Sequence, residues 1–297
     1  MSPTNDPRPS KAERTAQARE KARLIREAQL KKEKRNSWLI RGGVLLAAVA
    51  IVVIIAIVVI QTNKNNEPVA SSGPVAANMN SYGGVTVGKK DAVIPPTTTV
   101  KTVDINSVGA LPTAAPTKAT GLDEIGIKAT AKGQPVQTVI YLDFMCPVCN
   151  NFEKQYGDTL NSLREEGKIT VEYRPLGFLD SLSSGTNYSS RAGAAAACVA
   201  DQSPGSYKKF LDTLYANQPG ENSKGLDNAT LVKYATESGA KDITNCVNNK
   251  TYRPAMAYTT QLATAHGITG TPTVFMDGKQ WQTGTFDDFY KAALAAK

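Results

Sequence analysis

Hydrophobic positions fall into three regimes along the chain. Gly42 to Ile60 is an unbroken apolar run of 19 residues without a charge, and Trp38 sits at its edge. A rise of about 1.5 Å per residue makes such a run long enough to cross a bilayer, so one transmembrane helix is expected at 37–60. From 61 to 120 the periodicity disappears. Asn, Ser, Thr, Pro and Ala dominate, and this stretch reads as a flexible linker with a short strand near 83–88. From Pro135 onward the pattern is that of a folded domain, placed at 121–297.

Within that domain the period switches between two and 3.6. Val136 to Phe144 reads as a buried strand. Phe152, Tyr156, Leu160 and Leu163 form a helical stripe that Gly167 is placed to end, and Ile169 to Tyr173 alternates as a second strand. A long helical region follows: the Ala-rich 191–200, the stripe Tyr207, Phe210, Leu211 and Leu214, a helix capped by Asp227 or Asn228, and another from Pro254 to His266. Thr273 to Met276, the turn Asp277-Gly278 and Gln280 to Gln282 predict a hairpin. Thr285-Phe286-Asp287-Asp288 opens a C-terminal helix in the manner of a capping box.

Charge sharpens the view of the N-terminus only. The first 60 residues carry 12 Lys/Arg against 5 Asp/Glu, and the other 237 are nearly balanced. The net +8 is thus a property of a basic tail at 1–36, read as a solvated topogenic segment, and no nucleic-acid-binding surface is implied. Eleven Lys/Arg lie between Arg8 and Arg35, ahead of the apolar run, and only Lys64 follows it closely. The positive-inside rule then predicts an uncleaved, single-pass anchor in the cell membrane, with a cytoplasmic N-terminus and the domain outside. All four cysteines fall in that exported part, where disulfides persist.

The chemistry concentrates at Cys146-Pro147-Val148-Cys149. Two thiols three residues apart at a helix start can close a disulfide and reopen it. Cys146 is placed at unpaired N–H groups and the positive end of a helix dipole, which favours its thiolate. Pro147 suits the first helical position, and Cys149 is expected to face inward as the resolving thiol. A zinc site is disfavoured, because no second such pair exists. No metal and no cofactor are expected. His266 is the only histidine, which argues against His-based hydrolysis, and it is read as a helix C-terminal residue.

With Asp143-Phe144-Met145-Cys146-Pro147-Val148-Cys149 and Gly267-Ile268-Thr269-Gly270-Thr271-Pro272-Thr273-Val274, residues 135–297 resemble the DsbA-like thiol–disulfide oxidoreductases, particularly the membrane-anchored actinobacterial type. The resemblance implies an α/β thioredoxin fold with an inserted helical subdomain at about 187–266, here preceded by the transmembrane helix. It implies Cys146 as the exchanging sulfur, Cys149 as the resolving one, and Thr271-Pro272 as a cis-proline loop that binds substrate. The implied function is disulfide formation in exported proteins through a mixed disulfide. Unfolded or reduced exported proteins would be the substrates, and the redox partner would be a quinone-linked membrane oxidase or, for the opposite direction, a reductant donor. The family's third motif residue is usually His, and Val148 offers neither charge nor hydrogen bond, so reductase and isomerase readings stay open. So does a non-catalytic binding module on the same scaffold. The acid that thioredoxins carry six residues before the first cysteine is replaced by Ile140. Asp143 reads as a strand-end turn residue in preference to a proton acceptor. Cys198 and Cys246 are expected to form a second, structural disulfide, the alternative being two separate buried thiols.

Overall fold

The computed structural model describes residues 69–109, 111 and 118–297. The basic tail and the expected transmembrane helix lie outside the described residues. Among the described residues no helix is long and apolar enough to cross a membrane.

The strands are β1 (Ser72–Pro74), β2 (Val85–Val87), β3 (Val93–Ile94), β4 (Thr102–Asp104), β5 (Val136–Leu142), β6 (Ile169–Pro175), β7 (Thr273–Met276) and β8 (Lys279–Gln280). The α-helices are α1 (Pro147–Glu165), α2 (Tyr188–Gln202), α3 (Tyr207–Ala216), α4 (Asn228–Glu237), α5 (Thr244–Asn248), α6 (Arg253–Ala265) and α7 (Phe286–Ala295). Six strands form one sheet in the order β3-β2-β6-β5-β7-β8, and β1 pairs with β4 apart from it. β5 and β6 are parallel, joined through α1, whereas β7 runs antiparallel to β5 and turns back into β8. Asp277 and Gly278 both have positive φ, as a two-residue hairpin turn requires.

Alternation along β5 divides the core. Val136, Ile140 and Leu142 face α1, α2 and the cysteines, while Val139 and Tyr141 pack on the other face with Ile125, Ile127, Phe275 and Ile268. The helical insertion occupies 188–265, between β6 and β7. Small side chains make it compact: Ala192 and Ala194 to Ala197 are buried, which lets other helices approach α2 closely. Two helix starts match their sequence signals. Asp227 accepts the Thr230 N–H at 2.8 Å, and Thr285 accepts that of Asp288 at 3.1 Å.

One boundary differs from the sequence expectation. Residues 69–109 are not a linker but part of the folded unit, which therefore starts well before 121. β2 extends the sheet by pairing antiparallel with β6, and Ala76, Met79, Val85 and Val87 enter the main core. Gly84 permits that approach, because a Cβ there would stand 1.9 Å from a Glu172 carboxylate oxygen. Asn80 Nδ2 donates to the same oxygen at 2.6 Å, and Arg174 Nε does so at 2.7 Å, closing a buried polar cluster. The strand expected at 83–88 is β2.

Candidate active site: a paired thiol at a helix N-terminus

β5 ends at Leu142, and the chain turns before α1 begins at Pro147. Asp143 shapes that turn. Its Oδ1 accepts the Met145 N–H at 2.8 Å, its Oδ2 accepts the Leu179 N–H at 2.9 Å, and its carbonyl accepts the Cys146 N–H at 3.1 Å. The reading of Asp143 as a turn residue matches these bonds. Burial raises the Asp143 carboxyl to about 6, although the hydrogen bonds it accepts pull the other way.

Cys146 is the N-cap of α1 and Pro147 occupies the first turn, where no N–H is needed. Both thiols are free and buried, Cys146 at 6% exposure and Cys149 at 1%. Val148 between them is 58% exposed and Pro147 is exposed beside it, so the motif presents an apolar surface to solvent. The Thr271–Pro272 peptide is cis and stands immediately before β7. Since Tyr141 pairs with Thr273, that loop lies against the C-terminal end of β5. The Cys146 thiol donates to the Thr271 carbonyl at 3.3 Å.

The two sulfurs are electrostatically unlike. The Cys146 thiol is lowered to about 6. The largest cause is the hydrogen bond it receives from Cys149; burial opposes it, and the Thr271 side chain and the Cys149 and Val148 N–H groups assist. Cys149 is pushed up, chiefly by burial, then by its hydrogen bond to Cys146 and the charge there. Of the reduced pair, Cys146 is therefore the sulfur that ionises first, and the Cys149 thiol is placed to donate to the thiolate that forms.

Three site-supporting residues were absent from the sequence expectations. Gln218, two residues beyond α3, donates through Nε2 to the carbonyls of Phe144 (3.1 Å) and Cys146 (2.9 Å). Its Oε1 accepts from Asn150 Nδ2 at 3.0 Å, and Asn150 also donates to the Tyr215 carbonyl at 3.2 Å. The helical insertion thus grips the start of α1. Glu153, one turn after Cys149, is raised to about 7 by burial, with Lys208 and Arg164 opposing and Asp212 reinforcing. Only the Asn150-Asn151-Phe152-Glu153 continuation of the motif marks Asn150 and Glu153 in the sequence, and nothing local marks Gln218.

Cys198 of α2 and Cys246 of α5 are joined, with an S–S distance of 2.01 Å across 48 residues. His266 lies apart from the thiols, with Nδ1 3.1 Å from the Thr120 carbonyl oxygen. Among the described residues no group of three or more His, Cys, Asp or Glu is arranged to hold a metal ion.

Comparison with known proteins agrees with this architecture. The serine/threonine-protein kinase PknE of Mycobacterium tuberculosis is 32% identical over 120 residues, 39% of this chain but 21% of the kinase. The chain therefore spans only about a fifth of the curated relatives it matches. Reduced DsbA from M. tuberculosis superposes with a TM-score of 0.49 at 32% identity, covering 57% of this chain and 87% of that one. Oxidised BdbD from Bacillus subtilis gives 0.50 at 15% identity over 75% of this chain and 97% of its own, a likeness of fold. A family model described as thioredoxin matches residues 131–294, more than half of the sequence, and the chain belongs to the thioredoxin family.

Proposed function

We propose that this protein is an extracytoplasmic thiol–disulfide oxidoreductase that forms disulfide bonds in exported proteins. The observation that carries the reading is the asymmetry of the pair: a Cys146 thiol lowered to about 6 at a helix N-terminus, beside a buried Cys149 that is pushed up. In the oxidised enzyme a substrate thiolate attacks Cys146 Sγ. The Cys146–Cys149 bond breaks, and Cys149 leaves with the electron pair and takes up a proton. A second substrate thiolate then attacks the substrate sulfur of the mixed disulfide. Cys146 departs as a thiolate and the substrate keeps the new disulfide. Two electrons have passed to the enzyme, and a membrane redox partner of the quinone-linked class removes them.

A thiol with a pKa of about 6 is about 90% thiolate at pH 7, so Cys146 is a good leaving group and the reduced enzyme is favoured. An extended substrate segment would pair with the Thr271 backbone beside the sulfur, and exposed Val148 would meet apolar residues of an unfolded chain. The anchor at Gly42–Ile60 and the outward orientation rest on the apolar run and its charge asymmetry.

The reductase or isomerase direction is favoured by one feature, Val148, which adds no charge or hydrogen bond to stabilise the thiolate. Refolding of reduced ribonuclease and reduction of insulin distinguish the directions. The proposal expects the oxidised protein to restore ribonuclease activity and to reduce insulin weakly. Fast insulin reduction without oxidative refolding would reverse the direction, and inactivity in both assays would leave a binding module.

A further inference from the structure

A second polar site lies in the helical insertion, independent of the redox reading. Arg191 of α2, Asn228 of α4, Lys250 between α5 and α6, and Arg253 at the start of α6 surround a pocket floored by Ala194 and Val247. Both arginines are 5% exposed. Arg191 is held in place, its Nε donating to the Thr186 carbonyl at 2.8 Å and its Nη1 to Asn228 Oδ1 at 3.0 Å. Arg253 Nε is buried without a hydrogen-bond partner. Burying two guanidiniums side by side is costly unless counter-charge reaches them; burial, and after it the charge of Arg253, lowers Arg191 to about 10.

Two carboxylates act on the pair. Asp180 acts on both arginines, but its Oδ1 accepts the Ser190 N–H at 2.9 Å and its Oδ2 accepts the Ser190 hydroxyl. Asp227 is spent capping α4 and is exposed. An arginine fork with a free buried donor is the group best matched to a planar or tetrahedral oxyanion. The free space, mouth included, is ≈ 270 Å³ and part of it is open solvent, so the ligand is small.

We propose that this pocket binds a small oxyanion, held between the Arg191 and Arg253 guanidiniums with Asn228 at its edge. Such a ligand would cross-brace α2, α4 and α6 beside the Cys198–Cys246 bond. A ligand that binds only the folded state raises Tm by mass action. The test is a thermal titration of the full chain with inorganic phosphate, and separately with acetate, each against sodium chloride at matched ionic strength. The expected result is a saturable rise in Tm beyond the chloride control in at least one arm, and the stronger arm identifies phosphate or carboxylate as the preferred chemistry. Arg253→Met should abolish that rise and Asn228→Ala should shift its midpoint to at least tenfold higher concentration. The exposed-surface control Lys233→Met should leave it unchanged. Isothermal titration calorimetry on Arg253→Lys, which keeps the charge but loses the fork, covers the case in which the Met variant does not fold, and binding at least tenfold weaker is expected. No rise beyond chloride in the wild type, or an undiminished response in both Arg253 variants, would overturn the site.

Discussion

The two cysteine pairs of this domain make an instructive contrast. Cys146 and Cys149 are three residues apart, start one helix and touch the Thr271 loop. Cys198 and Cys246 are 48 residues apart and join two helices of the insertion. Both pairs are buried, so exposure does not distinguish them. What differs is the field around the sulfur. The first pair has helix N–H groups and the Thr271 side chain at Cys146, and it splits into a low and a high thiol. The second ties the Ala-rich α2 to α5 as a closed bond. The lesson is that reactivity follows from asymmetry within a pair, and stability from the length of chain the pair closes.

Removing the reactive sulfur breaks the contrast most completely. Cys146→Ser should lower oxidative refolding to the uncatalysed background, while Cys149→Ser should still react once and accumulate mixed disulfides visible on a non-reducing gel. Equal turnover by either variant would contradict the assigned roles.

The second pair should respond in stability and not in turnover. Loop-entropy arguments give a 48-residue closure about 4 kcal/mol. The Cys198→Ser/Cys246→Ser double variant should therefore melt markedly earlier yet keep ribonuclease refolding at low temperature. Lost activity with an unchanged Tm would make this pair a second redox relay.

Gln218 sharpens the comparison, because it links the insertion to the reactive helix. Gln218→Ala removes donors to two carbonyls at the site, a loss of about 1–2 kcal/mol in stability, and should raise the Cys146 pKa by about half a unit as the helix start loosens. Gln218→Glu adds a negative charge there and should raise it further. A purely structural role would lower Tm in both variants and leave the pH profile of alkylation in place.

The smallest effect is expected at Val148. Its exposure makes Val148→His nearly neutral for stability, within about 0.5 kcal/mol. A histidine there should lower the Cys146 pKa and shift the reduction potential to a more oxidising value. An unchanged potential would show that the third motif position does not tune this thiol.

Much of this contrast is legible in the sequence, because local signals report it. The Cys-Pro-Val-Cys helix start, the Asp277-Gly278 hairpin and the Asp227 and Thr285 caps each depend on neighbours within a few residues. The Ala-rich α2 and the stripe of α3 similarly mark the insertion. What the sequence hides is non-local. β1 to β4 are two or three residues long, too short for periodicity, and β2 joins the sheet only by meeting β6 far along the chain. Gly83-Gly84, adjoining Val85, is the one local clue to that close approach. Gln218 is a polar residue after a helix, and only the tertiary fold turns it toward Cys146. Asp143 was legible as a turn residue, but its bond to Leu179 was not.

The pH dependence of Cys146 alkylation in the reduced protein, followed by peptide mapping, tests the central claim most directly. A lowered pKa means that the folded thiolate contributes stability that is complete above the ordinary value of 9.0 and is lost as pH falls through about 6. Relative to Cys146→Ser, the reduced protein should thus gain stability between those limits. The rate of Cys146 labelling should rise with a midpoint near 6, with Cys149 slow and Cys198 and Cys246 unlabelled without reductant. A Cys146 midpoint near the ordinary value of 9.0, or equal labelling of all four cysteines, would contradict the account.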